Sequence, residues 1–360
     1  MLLAMASRLG MLGFMLVACS ARSAPPANGT WTFEQLLAPP TASEIEAVDQ
    51  AWPTQLPVAD ARVVNRVAMT YDVGGEYEIR VVTHRYGTEE RCGFVLVPRG
   101  AARGSLAALI DVRDIRWDYP PRDISRGAFV MTNILRDAAR QFAIVMPCLR
   151  GESLRVDGHT ATAQGDRRDA WEGAALDTIA FTTAALEVTP EIDPAHIVVY
   201  GYSRGGGVAL LVAQRDPRVR AVLAFAAPTD WFRAMTDQDG PWSERLAAAA
   251  RDSALPPDTL RNQFLEWFVR GRDAEDLALL RRRLLASSPL YFVERLRAGQ
   301  VHHGSADSAV PVENATALRD AARTANVKVD IRIYAGAPHL IPESAGAFGP
   351  ARTFLLDAVR

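Results

Sequence analysis

Cysteine and histidine are scarce in this chain of 360 residues, and neither sign of charge is in clear excess. Its three cysteines and six histidines form no His-Glu-x-x-His motif and no cluster at metal-ligand spacing, so zinc-dependent hydrolysis is not expected and no motif calls for a cofactor. Forty basic residues stand against 42 acidic ones, a formal net charge of −2, and the signs are interspersed. No surface for nucleic acid or anionic lipid is announced, which leaves a neutral small molecule or a peptide as the expected partner. Internal repeats and low-complexity tracts are also missing. What the chain does have is core material: 49% of it is hydrophobic and 23% charged, the proportions of a globular enzyme with one main domain and an elaboration.

The longest apolar run, Leu9 to Ala18 after Arg8, is too short to span a bilayer as a mature helix, and residues 1–18 read as a signal peptide. The run ends in Leu16-Val17-Ala18-Cys19, which resembles the bacterial lipobox. That resemblance implies a lipidated Cys19 as the mature N-terminus, and Ser20 after it resembles a signal for the outer membrane. The expectation is a protein on the periplasmic side of a bacterial envelope, joined to the membrane through its lipid anchor. Residues 19–30, small and Pro-rich, would be the tether. Cleavage after Ala24 with an incidental cysteine is the plainer alternative.

A helical, Pro-bounded segment is expected over residues 31–60, and the catalytic domain over 61–360. Strand patterns come first, at Glu76 to His84, Arg91 to Pro98, Ser105 to Val112 and Phe142 to Cys148. Strands then alternate with helices: a helix near Ala170 to Leu186, the strand His196 to Gly201, a helix over Arg204 to Gln214 and the strand Val219 to Phe225. Val327 to Tyr334 reads as the last long strand and Ala345 to Val359 as a closing helix. This alternation argues for an α/β fold, a mostly parallel sheet of about eight strands with helices on both faces. Residues 231–297 show no strand pattern and read as a helical insertion. It is either surface packing or a lid, with Trp231, Phe232, Trp267 and Phe268 as candidate pocket walls.

The strand at His196 to Gly201 runs into Gly201-Tyr202-Ser203-Arg204-Gly205 and then into an Ala- and Leu-rich helix, the order of a nucleophile elbow. A serine on so sharp a turn needs small neighbours two residues away, and Gly201 and Gly205 supply them. The helix behind Ser203 aims N–H groups and a positive dipole end at a developing oxyanion, with Arg204 N–H as the first donor. A serine hydroxyl also needs a base and an acid to orient that base. Among the histidines well beyond Ser203 only His339, in Gly336-Ala337-Pro338-His339, follows the last strand. For the acid, Asp307 lies in a turn after a short apolar strand, and Asp230 is its rival.

The segment His303-Gly304-Ser305-Ala306-Asp307-Ser308-Ala309-Val310-Pro311 resembles the His-Gly-x-x-Asp-x-x-Val-Pro signature of the prolyl oligopeptidase and dienelactone-hydrolase branch of α/β hydrolases. Leu149-Arg150-Gly151-Glu152-Ser153 and the helix from Asp169 to Asp177 are similar to two further segments of that branch. The resemblance covers roughly Tyr71 to Arg360. It implies the α/β-hydrolase fold, a triad of Ser203, Asp307 and His339, and cleavage of esters or amides. The chain departs from the branch where a His-Gly-Gly-Pro-like oxyanion loop is common: it reads Ile110-Asp111-Val112-Arg113-Asp114-Ile115-Arg116-Trp117-Asp118-Tyr119. The second oxyanion donor is then a backbone N–H near Val112 or Arg113, or the Tyr119 hydroxyl. Arg113, Arg116, Arg122 and Arg126 form either a carboxylate clamp or a solvated loop.

Tyr202, Tyr119 and Trp231 are the candidate substrate contacts. The residues before Tyr71 are too few for a β-propeller, so esters and short peptides stand equally as substrates. In this fold the strand at Arg91 lies antiparallel to the strand ending at Cys148, which implies a Cys92–Cys148 disulfide. A non-catalytic envelope-binding protein that keeps the fold is the competing reading. Nothing in the sequence bears on oligomeric state.

Overall fold

Apolar side chains alternate between two faces along the central strands, and the fold follows from covering both faces. In the computed structural model, residues 33–55, 66–73, 75–112, 122–123, 128–166, 169–236 and 274–360 are described. Strand β4 (Leu106–Val112) sends Ala108, Ile110 and Val112 into one core and Ala107 and Leu109 into the other. Strand β9 (Ile192–Tyr202) divides likewise, Ile197 and Val199 against Val198 and Tyr200. A strand buried on both faces in this way belongs to the middle of a parallel sheet.

The sheet has nine strands, in the order β1-β2-β3-β6-β4-β9-β10-β11-β12. β1 (Arg66–Val73), β2 (Tyr77–Tyr86) and β3 (Glu89–Pro98) are antiparallel, and β3 also pairs antiparallel with β6 (Phe142–Cys148). From β6 onward the sheet is parallel, through β4, β9, β10 (Val219–Phe225), β11 (Gly299–Gly304) and β12 (Val329–Tyr334). This is the α/β-hydrolase fold, with one strand more than the eight the pattern suggests. A second, three-stranded sheet of β5 (Arg122–Asp123), β7 (Ser153–Val156) and β8 (His159–Thr162) gives no clear sequence signal.

On one face lie α3 (Glu172–Val188) and α4 (Arg204–Arg215), whose buried residues share a core with Leu36 of α1 (Phe33–Leu37), with Val48 and Trp52 of α2 (Ala42–Gln55), and with Leu318 of α7 (Glu313–Thr324). The opposite core is closed by the π-helical turn Val130–Leu135 and by α8 (Phe348–Ala358). The insertion keeps its two ends in view: α5 (Trp231–Thr236) and α6 (Ala274–Ala286), the latter followed by the 3-10 segment Pro289–Arg295.

Helix α2 begins with a capping box. Thr41 N–H donates to Glu44 Oε2 at 2.8 Å, while Glu44 N–H returns to Thr41 Oγ1 at 3.3 Å. Arg281 of α6 then joins this region to the insertion. Its guanidinium reaches both Glu44 oxygens, at 2.5 and 2.9 Å, and the carbonyls of Leu36 and Ala38 at 2.7 and 2.8 Å.

Two expectations are corrected here. Cys92 and Cys148 do face each other across β3 and β6, but as free, buried thiols, and Cys148 Sγ turns to the Glu152 carbonyl at 3.0 Å. Directly opposed Cβ atoms on paired strands stand about 4.5–5.5 Å apart. A disulfide wants about 3.5–4.5 Å. Trp231 is no pocket wall: it is 3% exposed and packs against Trp171 with ring centroids 4.4 Å apart. Phe232 is buried beside it. The signal segment, Cys19, the tether, Arg113, Arg116, Tyr119, Arg126, Trp267 and Phe268 lie outside the described residues, and no described helix is long and apolar enough to cross a membrane.

Candidate active site

Four consecutive parallel strands, in the spatial order β9, β10, β11, β12, end on the same edge of the sheet, where loops converge. Ser203 follows β9, Asp307 follows β11 and His339 follows β12. Ser203 holds φ 54° and ψ −123°, a conformation that an L residue adopts only when its surroundings enforce it. Two contacts enforce it: Ser203 N–H donates to the Phe225 carbonyl at 2.8 Å, and the Ser203 carbonyl accepts from Gly206 N–H at 2.9 Å. The steric need for glycine is literal, since a Cβ at Gly201 would sit 2.0 Å from the Gly205 oxygen.

The structure brings Ser203, His339 and Asp307 together. His339 Nε2 lies 2.9 Å from Ser203 Oγ, and its Nδ1 lies 2.8 Å from Asp307 Oδ2. Asp307 Oδ1 accepts from the N–H groups of Ala309 at 2.9 Å and Val310 at 2.8 Å. Burial acts to raise the Asp307 pKa, but hydrogen bonds from His303 and His339 and from Val310 N–H outweigh it and hold the carboxyl well below the usual carboxylate range. With Asp307 as an anion, the arrangement can hold the imidazole with Nδ1 protonated and leave Nε2 to accept the serine proton. The Asp307 side chain has no exposure, whereas that of His339 is 23% exposed, so of the two only the imidazole faces solvent.

The loop carrying His339 lies directly on the loop carrying Asp307. Ala306 N–H donates to the Ala337 carbonyl at 3.0 Å, and Gly336 N–H to Ser305 Oγ at 2.8 Å. Gly304 permits this approach, because a Cβ there would come within 2.2 Å of the Ala337 oxygen and 2.6 Å of the Pro338 oxygen. Asp230, the rival acid, is engaged elsewhere: it accepts from Phe232 N–H at 3.0 Å and from the Tyr291 hydroxyl at 3.1 Å.

Arg204 opens α4 with a buried side chain whose Nη1 donates to the Ala170 carbonyl and Nη2 to Glu152 Oε1, each at 2.9 Å. Behind it, Arg150 donates to Asp177 at 2.9 Å, to Asp169 at 2.7 Å and to the Gly173 carbonyl at 2.9 Å. Arg91 also reaches Asp177, at 3.3 Å. The Arg-Gly loop and the aspartate-rich helix thus form one ion network under the nucleophile helix rather than part of the substrate surface.

Tyr202, a candidate substrate contact in the sequence, has its hydroxyl tied to the loop of His339. The hydroxyl donates to the His339 carbonyl at 2.7 Å and accepts from Ile341 N–H at 2.8 Å. Sequence reasoning missed His303, whose Nε2 donates to the Val310 carbonyl at 2.8 Å and stands 3.4 Å from Asp307 Oδ2. The position of His303 in the His-Gly-x-x-Asp segment is the signal that points to it.

Residues 125–256 match the prolyl oligopeptidase family, a stretch that includes Ser203 but neither Asp307 nor His339. Acetyl xylan esterase 1 from Thermoanaerobacterium sp. is similar in structure, with a TM-score of 0.61 and 19% identity over 92% of this chain and 100% of that one. Pyrococcus horikoshii acylaminoacyl peptidase superposes with a TM-score of 0.52 and 14% identity, over 79% of this chain but 40% of its own. Porphyromonas gingivalis dipeptidyl peptidase 4 does so with a TM-score of 0.52 and 18% identity, over 80% of this chain and 41% of its own. Among curated proteins no sequence matches. The nine-stranded sheet, the strained serine at its edge and the partial family match make the chain a serine hydrolase of the α/β-hydrolase fold, related over residues 125–256 to the prolyl oligopeptidase family.

Proposed function

We propose that the protein is an exported hydrolase that cleaves ester or amide bonds through an acyl-enzyme on Ser203. Ser203 Oγ attacks the carbonyl carbon while His339 Nε2 takes its proton. The tetrahedral oxyanion is held by the main-chain N–H of Arg204, whose side chain is committed to Glu152 and Ala170. His339 then returns the proton to the leaving group as the carbonyl re-forms, and water enters by the same route to release the acid. Asp307 orients the imidazole throughout.

The observation that carries this reading is the unbroken hydrogen-bonded line from Ser203 Oγ through His339 to Asp307. Small esters come first among substrates, because the structural likeness to an acetyl xylan esterase, with a TM-score of 0.61, exceeds that to the acylaminoacyl peptidase, at 0.52. Labelling by a fluorophosphonate probe tests the mechanism: it is expected for the wild type and lost in Ser203→Ala. Ser203-independent labelling, or none, returns the protein to a binding role. A panel of nitrophenyl esters and aminoacyl-nitroanilides on the mature protein then orders the substrates.

The same proposal places the enzyme on the periplasmic side of a bacterial envelope, anchored through a lipid on Cys19. Metabolic labelling with a fatty-acid analogue, lost in Cys19→Ser, tests it.

A further inference from the structure

A second connection joins nucleophile and base besides the Ser203–His339 hydrogen bond. Tyr202, the residue before Ser203, reaches back over the sheet edge and bridges the backbone on both sides of Leu340, donating to the His339 carbonyl at 2.7 Å and accepting from Ile341 N–H at 2.8 Å. A hydroxyl that donates and accepts along two fixed directions at once defines the place of the chain it holds.

The ring that carries this hydroxyl is itself held. Tyr202 stacks on Phe225 of β10, with centroids 5.5 Å apart and planes at 18°. Phe225 stacks on His302 of β11 at 4.4 Å and 5°, and His302 on Tyr334 of β12 at 5.7 Å and 9°. His302 is fixed at both nitrogens, by the Tyr334 hydroxyl at 2.8 Å and Gln300 Oε1 at 2.9 Å. Four neighbouring strands thus contribute one ring each to a stack beneath the site, and Tyr202 is the end member that touches the base loop. Its ring also meets the His339 imidazole edge-on, with centroids 6.1 Å apart and planes at 87°.

We propose that Tyr202 is a positioning residue: its hydroxyl sets the height of the His339 loop above Ser203, so that the imidazole stays within proton-transfer reach through both acylation and deacylation. The inference rests on the triad reading above. Loss of about 1 Å of alignment costs on the order of a hundredfold in rate, so one bridging hydroxyl is enough to matter.

Tyr202→Phe keeps the ring and its stacking and removes only the bridge. With the concentration of active sites taken from fluorophosphonate titration, kcat per titrated serine is expected to fall by about tenfold or more, with KM within about twofold. The loss should be larger for an ester with a poor leaving group, which needs the proton from His339, than for a nitrophenyl ester. In a His339→Ala background, Tyr202→Phe should cost less than about twofold, because its effect passes through the imidazole. A kcat per titrated site within twofold of wild type overturns the proposal, as does a loss that persists undiminished without His339. If the wild type itself shows no Ser203-dependent labelling, the triad reading fails and the proposal falls with it, an outcome distinct from the first two. Should Tyr202→Phe fold poorly, Phe225→Leu, which removes the neighbouring ring and keeps the hydroxyl, is expected to give the same kcat-selective loss in weaker form. Unchanged kcat per site there would equally overturn it.

Discussion

His303 stands directly behind Asp307, its Nε2 3.4 Å from Oδ2 and 2.8 Å from the carbonyl of Val310. The acid is thus approached by two histidines, and the one in front, His339, is the one exposed to solvent. Replacing His303 by Leu strands the buried Val310 carbonyl and removes a donor from the carboxylate. The expected cost is about 1–3 kcal/mol of stability together with reduced kcat. His303→Gln, which retains a donor, should recover much of both when urea unfolding and esterase assays are compared.

Asp307→Asn tests orientation without changing size. Because the Oδ1 position accepts from the N–H groups of Ala309 and Val310, an asparagine would turn its NH2 toward His339 Nδ1 and favour the wrong tautomer, so kcat should drop by about 10⁴-fold while the fold persists. Steady-state kinetics beside circular dichroism reads both, and a loss below tenfold would remove Asp307 from the triad.

At the elbow, Gly201→Ala places a Cβ against the Gly205 backbone, where neither strand nor helix can yield. A loss of more than about 4 kcal/mol, or failure to accumulate as folded protein, is expected. Gly349, in the first turn of α8, has no atom within 4 Å of its imagined Cβ. Gly349→Ala should be neutral or stabilising by up to about 1 kcal/mol, and thermal unfolding of the two variants makes the comparison.

Removing Asp177 leaves Arg150 and Arg91 beneath the nucleophile helix without their shared carboxylate. Breaking a buried pair from one side costs about 3–5 kcal/mol, so Asp177→Ala is expected to unfold at far lower denaturant than Asp357→Ala, whose partner Arg360 is exposed.

Two buried histidines set the response to acid. Burial pushes the His84 pKa down to about 4, with Arg91 adding to the effect and Asp177 opposing it. Burial likewise pushes His302 down to about 3, helped by Arg332 and opposed by Asp330. In the unfolded chain both titrate near 6.5, so below that pH the unfolded state takes up protons that the folded state refuses. Stability present at neutral pH is therefore lost as the pH falls from about 6.5 toward 4 and 3, by up to about 1.4 kcal/mol per pH unit for each histidine. His302→Phe, which retains a ring for the stack, should lower the slope of unfolding free energy against pH by one proton. An unchanged slope would count against a neutral buried His302.

Legibility in the sequence followed the range of the interaction. The elbow shows itself because Gly201 and Gly205 answer to a clash two residues away, and the strands show themselves through period-two alternation such as that of β4. Ser203 and His339 can be singled out from chain order, since each follows its own strand, while Asp307 parts from its rival Asp230 through the resemblance of the segment from His303 to Pro311. The bridge made by Tyr202 was not legible, because its partners, His339 and Ile341, are more than a hundred residues away in the chain and meet it only once β9 and β12 have taken their places. The facing of Cys92 and Cys148 follows from strand pairing, yet in the structure the two stay free thiols, with Cys148 Sγ also hydrogen-bonded to the Glu152 carbonyl. Trp231 has the composition of a pocket wall and the environment of a core residue, a difference that only packing decides.

Arg281 gives the N-terminal helices a part that their place in the chain does not suggest. Because one guanidinium reads out the carboxylate that caps α2 and two carbonyls at the end of α1, those helices and α6 share a single keystone. A chain trimmed to start at β1 would do more than lose two short helices. It would uncover Arg281, which is only 6% exposed in the whole chain, take away the Glu44 carboxylate it pairs with, and loosen α6 from the body of the protein.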